Sequence, residues 1–105
     1  MSEVEETISR IKSHKSIEGL LITDKDKKTI RTNYTGEKLS EGDLLRSTIP
    51  LLTEKARNII RDLDPTNDLT FLRIKTKGKE IMVAPDKEFM LITMQRHGKE
   101  AHQDM

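Results

Sequence analysis

The sequence predicts an α/β domain in three layers, α/β/α, around a five-stranded antiparallel sheet. Three observations predict it. Five short strand-like runs occur, at residues 17–23, 29–33, 69–76, 80–84 and 89–95. Two segments with helical spacing interrupt them, so the order is helix, two strands, helix, three strands. The runs Gly19-Leu20-Leu21-Ile22 and Phe89-Met90-Leu91-Ile92 are apolar without alternation, which means burial on both faces of a sheet. One helix on each face covers both sides.

The first helix spans residues 2–13. Ser2 and Glu5 have capping-box spacing, and Val4, Ile8 and Ile11 recur on one helical face. Residues 17–23 and 29–33 form a hairpin around the polar turn of residues 24–28. The tract Lys25-Asp26-Lys27-Lys28 in that turn is broken by an acid and reads as a solvated turn rather than a binding patch. Residues 34–39 read as a loop containing Gly36.

The second helix starts near Ser40, where Ser40 and Asp43 repeat the capping arrangement in weaker form. Leu45, Ile49, Leu52, Ala56, Ile59, Ile60 and Leu63 give its core-facing stripe, and Arg46, Arg57 and Arg61 its polar face. A weaker apolar strip of Leu44, Thr48 and Leu51 flanks the main one. Pro50 removes a backbone donor from mid-helix, which predicts a kink with Pro50 toward solvent. Asp64-Pro65 ends the helix, because the residue before a proline disfavours the α region. The three remaining strands are joined by short links at Gly78 and Pro85-Asp86-Lys87 and form an antiparallel meander. Beyond Arg96 the chain becomes polar, dividing it into a domain of residues 1–96 and a tail of residues 97–105.

Composition excludes several functions. A chain of 105 residues fits one domain with a modest core. It has no cysteine, hence no disulfide framework or thiolate metal site. No apolar run approaches the roughly 18 residues of a membrane span. The acidic N-terminus has no apolar h-region, so no signal peptide is expected, and the expected location is cytosolic. A net charge of +1 and only three aromatic side chains, Tyr34, Phe71 and Phe89, argue against a nucleic-acid partner.

Catalytic constellations are equally lacking. No nucleophile elbow, phosphate-binding loop or zinc-protease motif is present. His14, His97 and His102 have no second ligand at metal spacing and read as surface residues. Asp62, Asp64 and Asp68 lack the alternation of a calcium loop, and Asn67-Asp68 reads as a turn shaped by side-chain to backbone bonds. Lys77-Gly78-Lys79 precedes a strand rather than a helix and reads as a hairpin turn, not an anion cradle. Met82, Met90 and Met94 read as packing residues. The residues therefore describe a binding or scaffolding domain without catalytic residues, cofactor or metal.

Two blocks carry a resemblance. One is Val4-Glu5-Glu6-Thr7-Ile8 with Ser13-His14-Lys15; the other runs from Lys55-Ala56-Arg57 through Arg61-Asp62-Leu63-Asp64-Pro65 and Asn67-Asp68-Leu69-Thr70-Phe71-Leu72-Arg73-Ile74 to Glu80-Ile81-Met82-Val83-Ala84-Pro85-Asp86-Lys87. Together they resemble the roadblock family of dynein light chains over nearly the whole of residues 2–95, and the string at 67–87 resembles the dynein members in particular. The resemblance implies the same α/β/α fold and a dimer whose sheets join through residues 69–76 while the long helices pack together. It places Leu44, Thr48, Leu51, Leu69, Thr70, Phe71, Leu72, Arg73 and Ile74 at the dimer interface. Its implied partners are the dynein intermediate chain and a second roadblock chain, identical or paralogous. Its implied setting is the cytoplasmic or axonemal motor on microtubules, with no membrane insertion. Scaffolds for small GTPases belong to the same superfamily and supply the alternative. The chain departs from the family's usual sequence at residues 34–39 and at Pro50.

Overall fold

The computed structural model describes residues 17–96 together with Glu6. The helix predicted at residues 2–13 and the tail at 97–105 lie outside these residues, save for Glu6, which is helical and exposed. All three histidines lie outside them as well.

Strands β1 (Ile17–Asp24) and β2 (Thr29–Thr32) form the predicted hairpin. A 3-10 turn at Gly36–Lys38 leads into helix α1 (Leu39–Leu63), and β3 (Leu72–Lys75), β4 (Lys79–Pro85) and β5 (Phe89–Arg96) complete the chain. The sheet is antiparallel throughout, in the order β2-β1-β5-β4-β3. The expected meander is therefore present, with β5 returning to the centre beside β1 and leaving β2 and β3 at the edges.

Strand alternation explains why the apolar runs had to be continuous. Leu21 pairs with Ile92 and Leu20 with Thr93, so neighbouring residues point to opposite faces. On one face Leu21, Val83, Ile92 and Met94 pack with Tyr34, Leu45 and Ile49. On the other, Leu20, Ile22 and Leu91 cluster with Ala84 and Phe89. Both faces of β1 and β5 are buried, as the lack of alternation predicts.

The turn between β1 and β2 is built by Asp24. Its Oδ1 accepts the amides of Asp26 at 2.8 Å and Lys28 at 2.9 Å, which lets Lys27 take a left-handed φ of 69°. The lysines of this turn are exposed, as expected of a solvated turn.

Three expectations need correction. Residues 34–39, read as a loop, contain the 3-10 turn and one buried side chain. Tyr34 is buried between β1 and α1, where Gly19 and Gly42 leave room for it. A Cβ on Gly42 would lie 2.6 Å from that of Tyr34, and one on Gly19 would collide with the phenol. Ser40 does not cap the helix: the cap position is Lys38, no side chain caps the first turn, and the 3-10 turn feeds directly into α1.

The core face of α1 is the second correction. It consists of Gly42, Leu45, Ile49, Pro50 and Thr53, whereas Leu52, Ile59 and Leu63 are exposed. Pro50 is thus buried rather than solvated, and it lines a hollow together with Thr23, Thr53 and Met90. Gly42 marks this orientation, because the helix passes so close to Tyr34 there that a Cβ would not fit. The helix continues through Pro50, as expected. The hydroxyls of Ser47 and Thr48 both donate to the Leu44 carbonyl, at 3.1 and 2.6 Å, a back-bonding pattern that bends helices.

The third correction concerns β3, which starts at Leu72 and not at Leu69. Leu72 pairs with Val83, so Phe71 and Thr70 would need Ala84 and Pro85 opposite them. Pro85 has no amide to donate, and β4 ends there.

Candidate partner-binding surface

The segment leaving α1 is held by its own side chains. Asp64 Oδ1 accepts the Thr66 amide at 3.1 Å and the Thr66 hydroxyl at 2.8 Å. Asn67 Oδ1 accepts the Asp68 amide and Asp68 Oδ1 the Leu69 amide, at 2.8 and 2.7 Å. Asp68 also reaches back to the helix, accepting from Arg57 Nε at 2.8 Å, Arg57 Nη2 at 3.3 Å and Arg61 Nη2 at 3.5 Å. These bonds, Arg57's first, hold the Asp68 carboxyl below the usual carboxylate range. The acidic residues at the helix end thus tie α1 to the approach of β3, in keeping with the turn-shaping role read from Asn67-Asp68.

Charges on the sheet are likewise structural. Arg73 pairs with the buried Glu80 across the β3–β4 ladder at 2.6 Å. Glu18 meets Arg96, and Lys79 at 3.6 Å, joining the ends of β1, β5 and β4. Among the described residues no three His, Cys, Asp or Glu side chains are placed to hold a metal ion. Among them, too, no helix is long and apolar enough to cross a membrane.

Among the described residues, apolar side chains line two further features. The first is α1, where Leu44, Leu51, Leu52 and Ile59 are 62, 52, 46 and 58% exposed. Leu51, Leu52, Glu54, Lys55 and Asn58 line a shallow hollow on that face. The second is a groove of about 310 Å³ on the sheet face opposite α1, lined by Ile17, Phe71, Met82, Ala84, Leu91, Thr93 and Gln95. The Arg73 guanidinium stands 5.6 Å from the centre of the Phe71 ring at its edge.

The residues singled out from the sequence are divided by this arrangement. Leu44, Thr48 and Leu51 share the exposed face of α1. Thr70 and Phe71 are exposed and Leu69 half-buried, all before β3 begins. Leu72 and Ile74 lean into the protein's own core, and Arg73 points to the opposite face. β3 is an edge strand, with β4 its one strand partner among the described residues. Leu52 and Ile59, which helical spacing assigned to the core, belong to the exposed surface. The legible signal was Gly42, the one glycine of α1, which marks the arc packed on Tyr34.

An antiparallel sheet with a helix on it, charges committed to ion pairs within the fold and large apolar side chains exposed along α1 describe an interaction domain of α/β class. The chain belongs to the Roadblock/LC7 domain family, whose model matches residues 3–96. Domains of this family are generally non-catalytic scaffolds that dimerise and bind partners.

Proposed function

We propose that this chain is a non-catalytic light chain of the dynein motor complex, which dimerises and binds the dynein intermediate chain for microtubule-based transport or ciliary motility. The observation that carries the reading is the string of residues 67–87, whose resemblance is to dynein members of the family. Its residues make one unit: the Asp68 tie to α1, the edge strand β3 and the strand β4 beside it. Leu44, Thr48 and Leu51 on α1, with Leu69, Thr70, Phe71, Leu72, Arg73 and Ile74 around β3, form the dimer surface in this reading. An unprotected strand edge offers free backbone groups to another chain, and an intermediate-chain segment would bind across both protomers. The chain would work in the cytoplasm on the microtubule cytoskeleton, or in a cilium.

Affinity capture of the tagged chain from native extract, read by mass spectrometry, tests this. Recovery of a dynein intermediate chain is the expected result. Recovery of a small GTPase without dynein subunits would overturn it in favour of a GTPase scaffold. An intermediate-chain peptide should also bind more weakly to a monomeric variant than to the dimer.

A further inference from the structure

Ser2, Thr23 and Ser40 share one pattern: an acid follows each directly, and another stands three residues on. No other serine or threonine of the chain has both. Kinases tell their substrates apart by such charge patterns, and acids on that side suit an enzyme whose substrate groove is basic. Burial separates the three. Thr23 is 1% exposed within β1, closed to any enzyme. Ser2 lies outside the described residues. Ser40 is exposed, with Glu41 and Asp43 after it. Its hydroxyl makes no hydrogen bond among the described residues, whereas those of Ser47 and Thr48 are tied to the Leu44 carbonyl. No side chain caps the first turn of α1, where Ser40 is the second residue. A helix end of that kind opens at little cost, and opening presents Ser40 in the extended form that peptide-binding grooves take. Asp43 meets Arg46 at 3.5 Å in an exposed contact, a weak pair that yields to a competing basic groove.

We infer that Ser40 is a phosphorylation site for an acid-directed kinase. In the transfer Ser40 Oγ bonds to the γ-phosphorus of ATP while the bond from that phosphorus to its bridging oxygen breaks. The hydroxyl proton passes to the kinase's catalytic base, and ADP leaves. The phosphate brings about −1.5 to −2 charges, which takes the chain from a formal +1 to about −1. It sits at the positive end of the α1 dipole, which favours it, while Glu37 and Glu41 beside it oppose it. Leu44 stands exposed one turn further on, so the new charge borders the apolar side chains of α1.

The test uses the folded full-length chain with ATP, magnesium and a purified acid-directed serine/threonine kinase, so its outcome is separate from the identity of any motor partner. Peptide mapping by mass spectrometry should place a phosphoryl group on Ser40. Ser40→Ala should abolish that signal, and Ser2→Ala should leave it in place. Asp43→Asn keeps the acceptor and the size of the side chain but removes the selecting charge. It should slow transfer to Ser40 several-fold with an unchanged circular dichroism spectrum. A kinase that selects basic residues ahead of its acceptor should leave Ser40 unmodified, because Glu37 stands three residues before it. No incorporation, a phosphoryl group on Ser2 or Thr23 but not on Ser40, or a rate indifferent to Asp43→Asn would each overturn the inference.

Discussion

Leu45 and Ile49 lie buried between α1 and the sheet, whereas Leu44 and Leu51, their near neighbours in sequence, stand in solvent. The side chains are of one kind, so hydrophobicity does not separate the two faces. Their surroundings do. The inner face is interleaved with Gly42 and Thr53, whose small size allows close approach. The outer face carries Leu44, Leu51, Leu52, Lys55 and Ile59 with Thr48 among them, and it has no glycine. A single helix thus holds one surface for folding and another of a kind suited to association.

The contrast can be broken by mutation. Ile49→Ala removes a core anchor and should cost about 2–5 kcal/mol, read in urea unfolding and independent of protein concentration. A loss below 1 kcal/mol would mean that the inner face is not the core. Gly42→Ala should cost about 1–3 kcal/mol by overpacking, since its Cβ would crowd Tyr34. Unchanged stability would show that Tyr34 has room to move.

Pro50→Ala sharpens the comparison from the other side. It restores the amide that the Arg46 carbonyl lacks and relieves an interior proline, which costs a helix about 3 kcal/mol. Loss of the buried ring offsets part of that, roughly 1–2 kcal/mol. The expected outcome is a net gain of about 1–2 kcal/mol in thermal unfolding. A clear loss would show that the bend at Pro50 is needed to seat the helix.

The smallest effect is expected at the helix exit. Asp68 has a lowered pKa in the folded chain, chiefly through Arg57. Such a group contributes stability above the unfolded carboxylate pKa of about 3.9, and this is lost as pH falls through the folded value. Asp68→Asn should therefore unfold at a slightly lower temperature than wild type at pH 7, with the gap closing in acid. A gap that persists undiminished at pH 2 would assign the effect to the turn rather than to the ion pairs.

The strands were largely legible from sequence because period-two patterning and continuous apolar runs report burial directly. The turn at Asp24 and the helix stop at Asp64-Pro65 were legible for the same reason, as local chemistry fixes each. The orientation of α1 was not, because two apolar arcs compete on one helix and only tertiary contact chooses between them. Neither was the early end of the β3–β4 ladder. Extending the Leu72–Val83 register would set Thr70 against Pro85, a relation that no local pattern of residues 69–76 contains. Tyr34 was missed because a lone aromatic among polar residues resembles a loop, and its two glycine neighbours in space lie 15 and 8 positions away in sequence.

Tyr34 also gives the protein a built-in optical gauge. It is the one tyrosine in a chain without tryptophan, so near-ultraviolet absorbance and intrinsic fluorescence come from the junction of Gly19 and Gly42 with little else contributing. Burial, followed by the carboxylates of Glu41 and Glu18, raises its phenol well above the ordinary value. A raised phenol stabilises the fold below the unfolded pKa of about 10 and loses that contribution as pH climbs toward the folded value. Absorbance at the phenolate band should therefore stay flat past pH 10 and then rise together with the loss of circular dichroism. The ionisation of one side chain would then time the separation of helix from sheet, without any label.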